Sequence, residues 1–197
     1  MRKFLKKAFI ATACGLAFSC AAPQKEPVMT HEKQEVMDQQ RVKELIQALK
    51  DCESNVRCDA ARRLAMIVDR SAVPALMEAL KDEGMWVSDT AAKALGKLGV
   101  NDEQFMKIMG MLSSDVKQER CGAARALGDI GNPSAVPDLL NALNDEDWEV
   151  REAVAWALGK IGDKRALPDL QEVAKSDPNH SVRNVAQEAI EAISGKQ

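Results

Sequence analysis

Side chains that do most enzymatic work are thin in this chain. It holds two histidines, His31 and His180, and no tyrosine. Glu32 follows His31 and Ser181 follows His180. No serine–histidine–aspartate arrangement or zinc set emerges around them. Of the five cysteines, none forms a Cys-x-x-Cys redox motif. Cys52 and Cys58 bracket one turn and form the candidate disulfide. Cys58 and Cys121 hold matching positions two helical layers apart, roughly 20 Å at about 10 Å per layer, against the ~7 Å a disulfide spans. Met106, Met109 and Met111 offer thioethers for Cu(I), yet Met109 falls in one column with the apolar Met77 and Leu140, which is packing. In Gly96-Lys97-Leu98-Gly99 the glycines follow a helix instead of opening one, so the anion site of a phosphate loop is missing. Asp145, Glu146 and Asp147 sit in a turn as solvated caps. No metal, cofactor or catalytic residue is expected.

Two columns of side chains recur at fixed spacing. The first is Arg57, Arg120, Arg151 and Arg183, interrupted by Ser88, facing Asp51, Asp82 and Asp145 at turns. Such columns make either an anion site or an ion-pair ladder between neighbouring units, and the ladder is the simpler reading. The second column is Arg62, Lys93, Arg125 and Trp156, ended by Glu188. Three cations and an indole suit a docking stripe for an acidic or extended protein or peptide, because arginine and tryptophan are frequent contact anchors. The plain alternative is that the cations solvate an Ala-rich helix and Trp156 packs on a neighbour. Trp86 and Trp148 would extend such a surface.

The elements that position these columns are helical hairpins. Ala91–Gly99, Ala123–Gly131 and Ala153–Gly162 are near-copies. Apolar anchors Leu64, Leu95, Leu127, Leu158 and Ile190 recur every 31 or 32 residues, as do Leu45, Leu76, Ile108, Leu139 and Leu170. Val42, Leu45, Ile46 and Leu49 then define one helical face. Pro74, Pro137 and Pro168 fall near helix starts, and Gly99, Gly131 and Gly162 fall where a left-handed cap is needed. The reading is an all-α chain of five two-helix units, at about 34–71, 72–101, 102–133, 134–165 and 166–197, stacked as a right-handed α-solenoid. The first unit has Met66-Ile67-Val68-Asp69 where glycine is expected, and the last has the polar Glu188 and Glu191.

Ala-Ala-x-Ala-Leu-Gly-x-Ile-Gly, the following Val-Pro-x-Leu and the preceding Val56-Arg57, Val150-Arg151 and Val182-Arg183 resemble the HEAT-like repeat of the phycobilisome-lyase type, over about Glu35 to Ile193. The resemblance implies the Asp–Arg ladder and places the second helices on a concave face. It also brings bilin lyases and deoxyhypusine hydroxylase into view as the enzyme alternative. The hydroxylase needs several His-Glu pairs, and here the only one is His31-Glu32.

The N-terminus reads as an address. Arg2–Lys7 is basic and Ala8–Phe18 is apolar, too short to span a bilayer and right for export. Leu16-Ala17-Phe18-Ser19-Cys20 resembles a bacterial lipobox, which implies residues 1–19 as signal peptide and a lipidated Cys20. The Pro- and Gln-bearing stretch that follows reads as a tether over 20–33, and Thr30, a good N-cap with Glu32 in the next turn, is the expected cap of the first helix. Ala21 after the cysteine leaves the outer membrane open. Without lipidation the product would be soluble and periplasmic. The first twenty residues hold four bases and no acid, so the formal charge of −3 becomes more negative by four without them, a poor balance for nucleic acid. The expected function is a noncatalytic protein-binding scaffold tethered to a bacterial envelope membrane.

Overall fold

The computed structural model describes residues 31–195. The signal segment, Cys20 and Thr30 lie outside them. Ten helices form five hairpins: α1 (His31–Ala48) with α2 (Ser54–Ile67), α3 (Val73–Ala79) with α4 (Met85–Leu98), α5 (Asp102–Met111) with α6 (Lys117–Ile130), α7 (Val136–Ala142) with α8 (Trp148–Ile161), and α9 (Leu167–Ser176) with α10 (His180–Ser194). No strand occurs among the described residues. The even-numbered helices pack one on the next from α2 to α10, whereas each odd-numbered helix packs chiefly on its own partner. The array therefore bends around the even row, which is an α-solenoid. α1 begins ahead of the boundary at residue 34 drawn from the sequence, so His31 and Glu32 are helical.

Each unit starts and stops for local reasons. In three units a 3-10 turn leads into the odd helix, and Asp69, Asn132 or Asp163 accepts a backbone N–H across it, from Ser71 (2.8 Å), Ser134 (3.0 Å) and Arg165 (2.9 Å). Pro74, Pro137 and Pro168 then occupy the first turn, where an N–H has no helical acceptor. α5 differs. Asn101 accepts from Gln104 N–H at 2.8 Å while the Gln104 side chain accepts from Asn101 N–H at 3.0 Å, a reciprocal capping box.

The even helices end on left-handed Gly131 and Gly162. Gly99 departs from this expectation: φ is 71° but ψ is 152°, because the chain must run out extended to reach the Asn101 box without a 3-10 turn. Val68 takes the left-handed cap (φ 57°, ψ 41°) although it is β-branched. That conformation costs an L-residue about 1–2 kcal/mol, part of which glycine returns through its looser denatured state. Val68→Gly is therefore expected to raise stability by about 1 kcal/mol, read as a higher urea midpoint at unchanged slope.

The core lies between the rows. Leu64, Leu95, Leu127 and Leu158 of the even helices and Leu76, Ile108, Leu139 and Leu170 of the odd ones are fully buried. Leu45 and Ile190, anchors on the first and last helices of the array, are only partly buried, whereas Leu64 and Leu170 of the same end units are enclosed. The even helices approach closely through small side chains. A methyl added at Gly96, Gly128 or Gly159 would meet Asp129 O at 2.7 Å, Ala157 Cα at 2.8 Å or Ala189 Cβ at 2.8 Å.

Candidate partner-binding face

The turn edge of the solenoid is a ladder. Arg57 reaches from α2 to Asp82 of the next unit with Nε–Oδ2 2.6 Å and Nη2–Oδ1 2.9 Å. Arg120 holds Asp145 in the same two-pronged way (2.7 and 3.0 Å), and Arg151 holds Asp177 (2.7 and 3.0 Å). Each arginine also donates to a carbonyl of its own turn: Asp51 at 2.8 Å, Ser114 at 2.9 Å and Asp145 at 2.8 Å. Each aspartate in turn accepts the backbone N–H two residues on.

Asp177 is a rung that the column of Asp51, Asp82 and Asp145 leaves out. It follows Asp145 at the repeat's own spacing, so the signal was present. Among the described residues, Asp51 precedes the first arginine and caps only its own turn, and Arg183 has only its own turn's carbonyls, Asp177 O at 2.6 Å and Pro178 O at 3.2 Å. Between the second and third units both partners are serine, Ser88 and Ser114. That junction carries other ion pairs, Arg125 with Asp89 at 3.0 Å and Lys81 with Glu119 at 3.4 Å.

Electrostatics follow the pairing. The Arg151 hydrogen bond, helped by Asn179 N–H and opposed by burial, holds the Asp177 carboxyl below its ordinary range. Burial pushes Asp82 up, yet the Arg57 hydrogen bond, Gly84 N–H and the arginine charge together bring it below the usual range. Both acids thus support folding above the unfolded carboxylate pKa of about 3.9, and that support is lost as pH falls through their lower folded values.

The even row carries the second column. Three clefts open along it. The first, of about 230 Å³, has Arg62, Cys58 and Trp86 in its wall. The central one, of about 480 Å³, lies among α4, α6 and α8 and is lined by Met85, Ser88, Cys121, Arg125, Trp148 and Glu152. The third, of about 390 Å³, is bounded by Trp156, Lys160 and Glu188. The structure thus brings Arg62, Arg125 and Trp156 each to the wall of a successive cleft. Lys93 is exposed beside them and lines none of the three. Trp86 is 78% exposed and Trp148 42%. Trp156 is half-buried, its ring lying over Gly128, with Lys160 Nζ 5.6 Å from its centroid.

The cations of this column are not all available. Asp89, one turn before Lys93, takes Lys93 on Oδ2 (2.6 Å) and Arg125 on Oδ1 (3.0 Å). Sequence reasoning passed over Asp89, although its i,i+4 spacing to Lys93 is a standard helix pair. Cys52 and Cys58 are both thiols. Cys58 Sγ lies 3.3 Å from Thr90 Oγ1 and Cys52 Sγ faces Asp51 at 3.6 Å. Burial pushes the Cys121 thiol up to about 11, with Glu149 adding to it, so it is protonated and a poor nucleophile at neutral pH.

Asp129 is the other residue missed. Its Oδ2 is buried with no hydrogen-bond partner among the described residues, and Oδ1 is 4.0 Å from Lys160 Nζ. Burial raises its pKa, against the pull of Lys160. Ionised Asp129 therefore penalises the folded state, and the penalty grows as pH rises from about 3.9 through the raised folded value. Asp129→Asn is expected to stabilise the chain by about 1 kcal/mol at pH 7, with the gain gone below about pH 4, measured by thermal melts across that range.

HEAT repeats match the chain over residues 42–119 and 107–191. The complex of CpcE and CpcF of phycocyanin lyase from Nostoc sp. PCC7120 is similar in structure, with a TM-score of 0.57 and 25% identity over 92% of this chain and 71% of that one. YibA of Escherichia coli is similar with a TM-score of 0.59 and 26% identity, over 86% of this chain and 66% of that one. A chain of the Kap95p–RanGDP complex gives a TM-score of 0.66 at 17% identity, over 83% of this chain and 26% of its own length, a likeness of fold alone. No curated protein matches the chain.

Proposed function

The chain belongs to the HEAT-repeat family, and from that premise we propose that it is a noncatalytic scaffold holding a protein partner along the row of even helices. The observation that carries this reading is the run of three clefts on one face, bordered by exposed Trp86 and Trp148. Exposed indoles beside concave walls are the usual anchors of a protein interface. The odd helices also carry a cleft, of about 270 Å³ between α5 and α7, but its wall holds no tryptophan.

The proposal includes a place. The basic segment Arg2–Lys7, the apolar run Ala8–Phe18 and the lipobox-like Leu16–Cys20 support export and lipidation at Cys20, which would set the scaffold on the periplasmic side of a bacterial envelope membrane. A second reading, a subunit of an enzyme, has the similarity to the CpcE and CpcF complex behind it. A chromophore or turnover that co-purifies with the chain would favour it.

The test is site-specific photo-cross-linking in cells. A cross-linker is placed at residues 86 and 148 on the even row and at 106 and 172 on odd helices, and captured products are identified by mass spectrometry. Adducts to one protein from 86 and 148 alone support the scaffold. Adducts from 106 and 172 alone, or none from any position, would sink it. The same spectra report whether the mature chain starts at an acylated Cys20.

A further inference from the structure

We infer that the central cleft receives a basic side chain, lysine or arginine, from an extended segment of the partner. The inference rests on the scaffold reading and reverses the sign of partner that the column of cations suggests. It comes from following each charge on the cleft wall to its partner. Arg125 is engaged by Asp89, which also holds Lys93. Lys117 is paired with Glu149 across α6 and α8. Asp82 is held two-pronged by Arg57 and accepts Gly84 N–H. After these pairings the charges left on the wall are acids. Glu83 and Glu152 line the cleft and, among the described residues, neither makes an ion pair or side-chain hydrogen bond.

Glu152 is half-buried, so its carboxylate has given up part of its hydration without gaining a partner. Trp148 stands four residues before it on the same face of α8, and both line the cleft. An indole face and a carboxylate one turn apart are the two contacts that a guanidinium or ammonium group seeks together. Met85 on the opposite wall is exposed and flexible, suited to the methylene stem of a long basic side chain. An acidic side chain entering the same space would meet Glu83 and Glu152 with no free cation on the wall to offset them.

Ser88 makes room for the guest. Where Arg57 and Arg120 fill the matching position on α2 and α6, Ser88 is short, only 6% exposed, and part of the cleft wall. The missing ladder rung and the largest of the three clefts thus coincide at one junction.

The experiment is fluorescence anisotropy with three labelled extended octapeptides, (Arg-Ser)4, (Glu-Ser)4 and (Gln-Ser)4, titrated with the full chain at low salt. The variants are Glu152→Lys, Trp148→Ala and, as a charge control on an odd helix, Glu172→Lys, each checked for an unchanged melting temperature. (Arg-Ser)4 is expected to bind best, about tenfold more weakly to Glu152→Lys and to Trp148→Ala, and equally well to Glu172→Lys. Equal losses in Glu152→Lys and Glu172→Lys would reduce the effect to net charge and overturn the inference. Preference for (Glu-Ser)4, or no binding of (Arg-Ser)4, would overturn it too. Adducts at residues 86 and 148 in cells would still stand in those cases, so a failed cleft and a failed scaffold give different results.

Discussion

Arg120→Ala is expected to lower the free energy of unfolding by about 3–5 kcal/mol, the cost of stranding a buried carboxylate. The Arg120 side chain is only 9% exposed. It gives two hydrogen bonds to Asp145, a third to Asp147 at 3.0 Å and a fourth to Ser114 O at 2.9 Å. Removing it leaves Asp145, itself 11% exposed, with its own turn's N–H as company. Stability in a solenoid is a sum of units and nearest-neighbour interfaces, so the loss falls on the junction of the third and fourth units. A fall in melting temperature of roughly 10 °C, with faster hydrogen exchange centred on α6 and α8, is the expected record. Arg120→Lys keeps the charge and loses the fork, and should fall between the two. Full stability in Arg120→Ala would show that the ladder contributes nothing to the fold.

Gly122→Ala should destabilise the chain by about 2–3 kcal/mol, although alanine is the better helix former by about 1 kcal/mol. A Cβ at this position would stand 2.2 Å from Leu80 O and 3.0 Å from Leu80 C, which are backbone atoms and cannot swing aside. The contact joins α6 to the end of α3, at the junction where Ser88 and Ser114 replace a ladder pair. Relief would mean moving the second unit off the third, which also strains Arg125 with Asp89. Gly110 supplies the control. It lies in α5 with nothing within 4 Å of an added methyl, so Gly110→Ala should raise stability by about 1 kcal/mol. One substitution with opposite signs at two helical glycines, read by chemical denaturation, separates close approach from helix propensity. If Gly122→Ala also stabilised, the tight seam between the units would be wrong.

Much of the candidate face was legible in the residues. Arg62, Lys93, Arg125 and Trp156 do lie on one row because they share a place in the repeat, and a repeat needs no knowledge of distant contacts. The same logic reaches Asp177, which follows Asp145 at the repeat spacing and was passed over. What the residues could not convey is how the charges are spent. Lys93 and Arg125 look like free cations until Asp89 is found between them, and the Arg125 contact joins residues 36 apart in the chain. The change from an acidic to a basic guest at the central cleft follows from that single aspartate together with the pairing of Lys117 to Glu149.

Unit length, hairpin order, proline-led helix starts and buried anchors all follow from local signals, since capping and apolar periodicity act within a few turns of one helix. The register of the stack does not. Arg57 finds Asp82 across 25 residues, and Gly96, Gly128 and Gly159 prove to be seams between helices that their own segments cannot reveal. Nor did Met66-Ile67-Val68-Asp69, which lacks the expected glycine, say that Val68 would take the left-handed cap all the same. Each of these depends on where a neighbouring unit comes to rest, and that position is set by the summed fit of all the facing side chains, which exists only after the units have stacked.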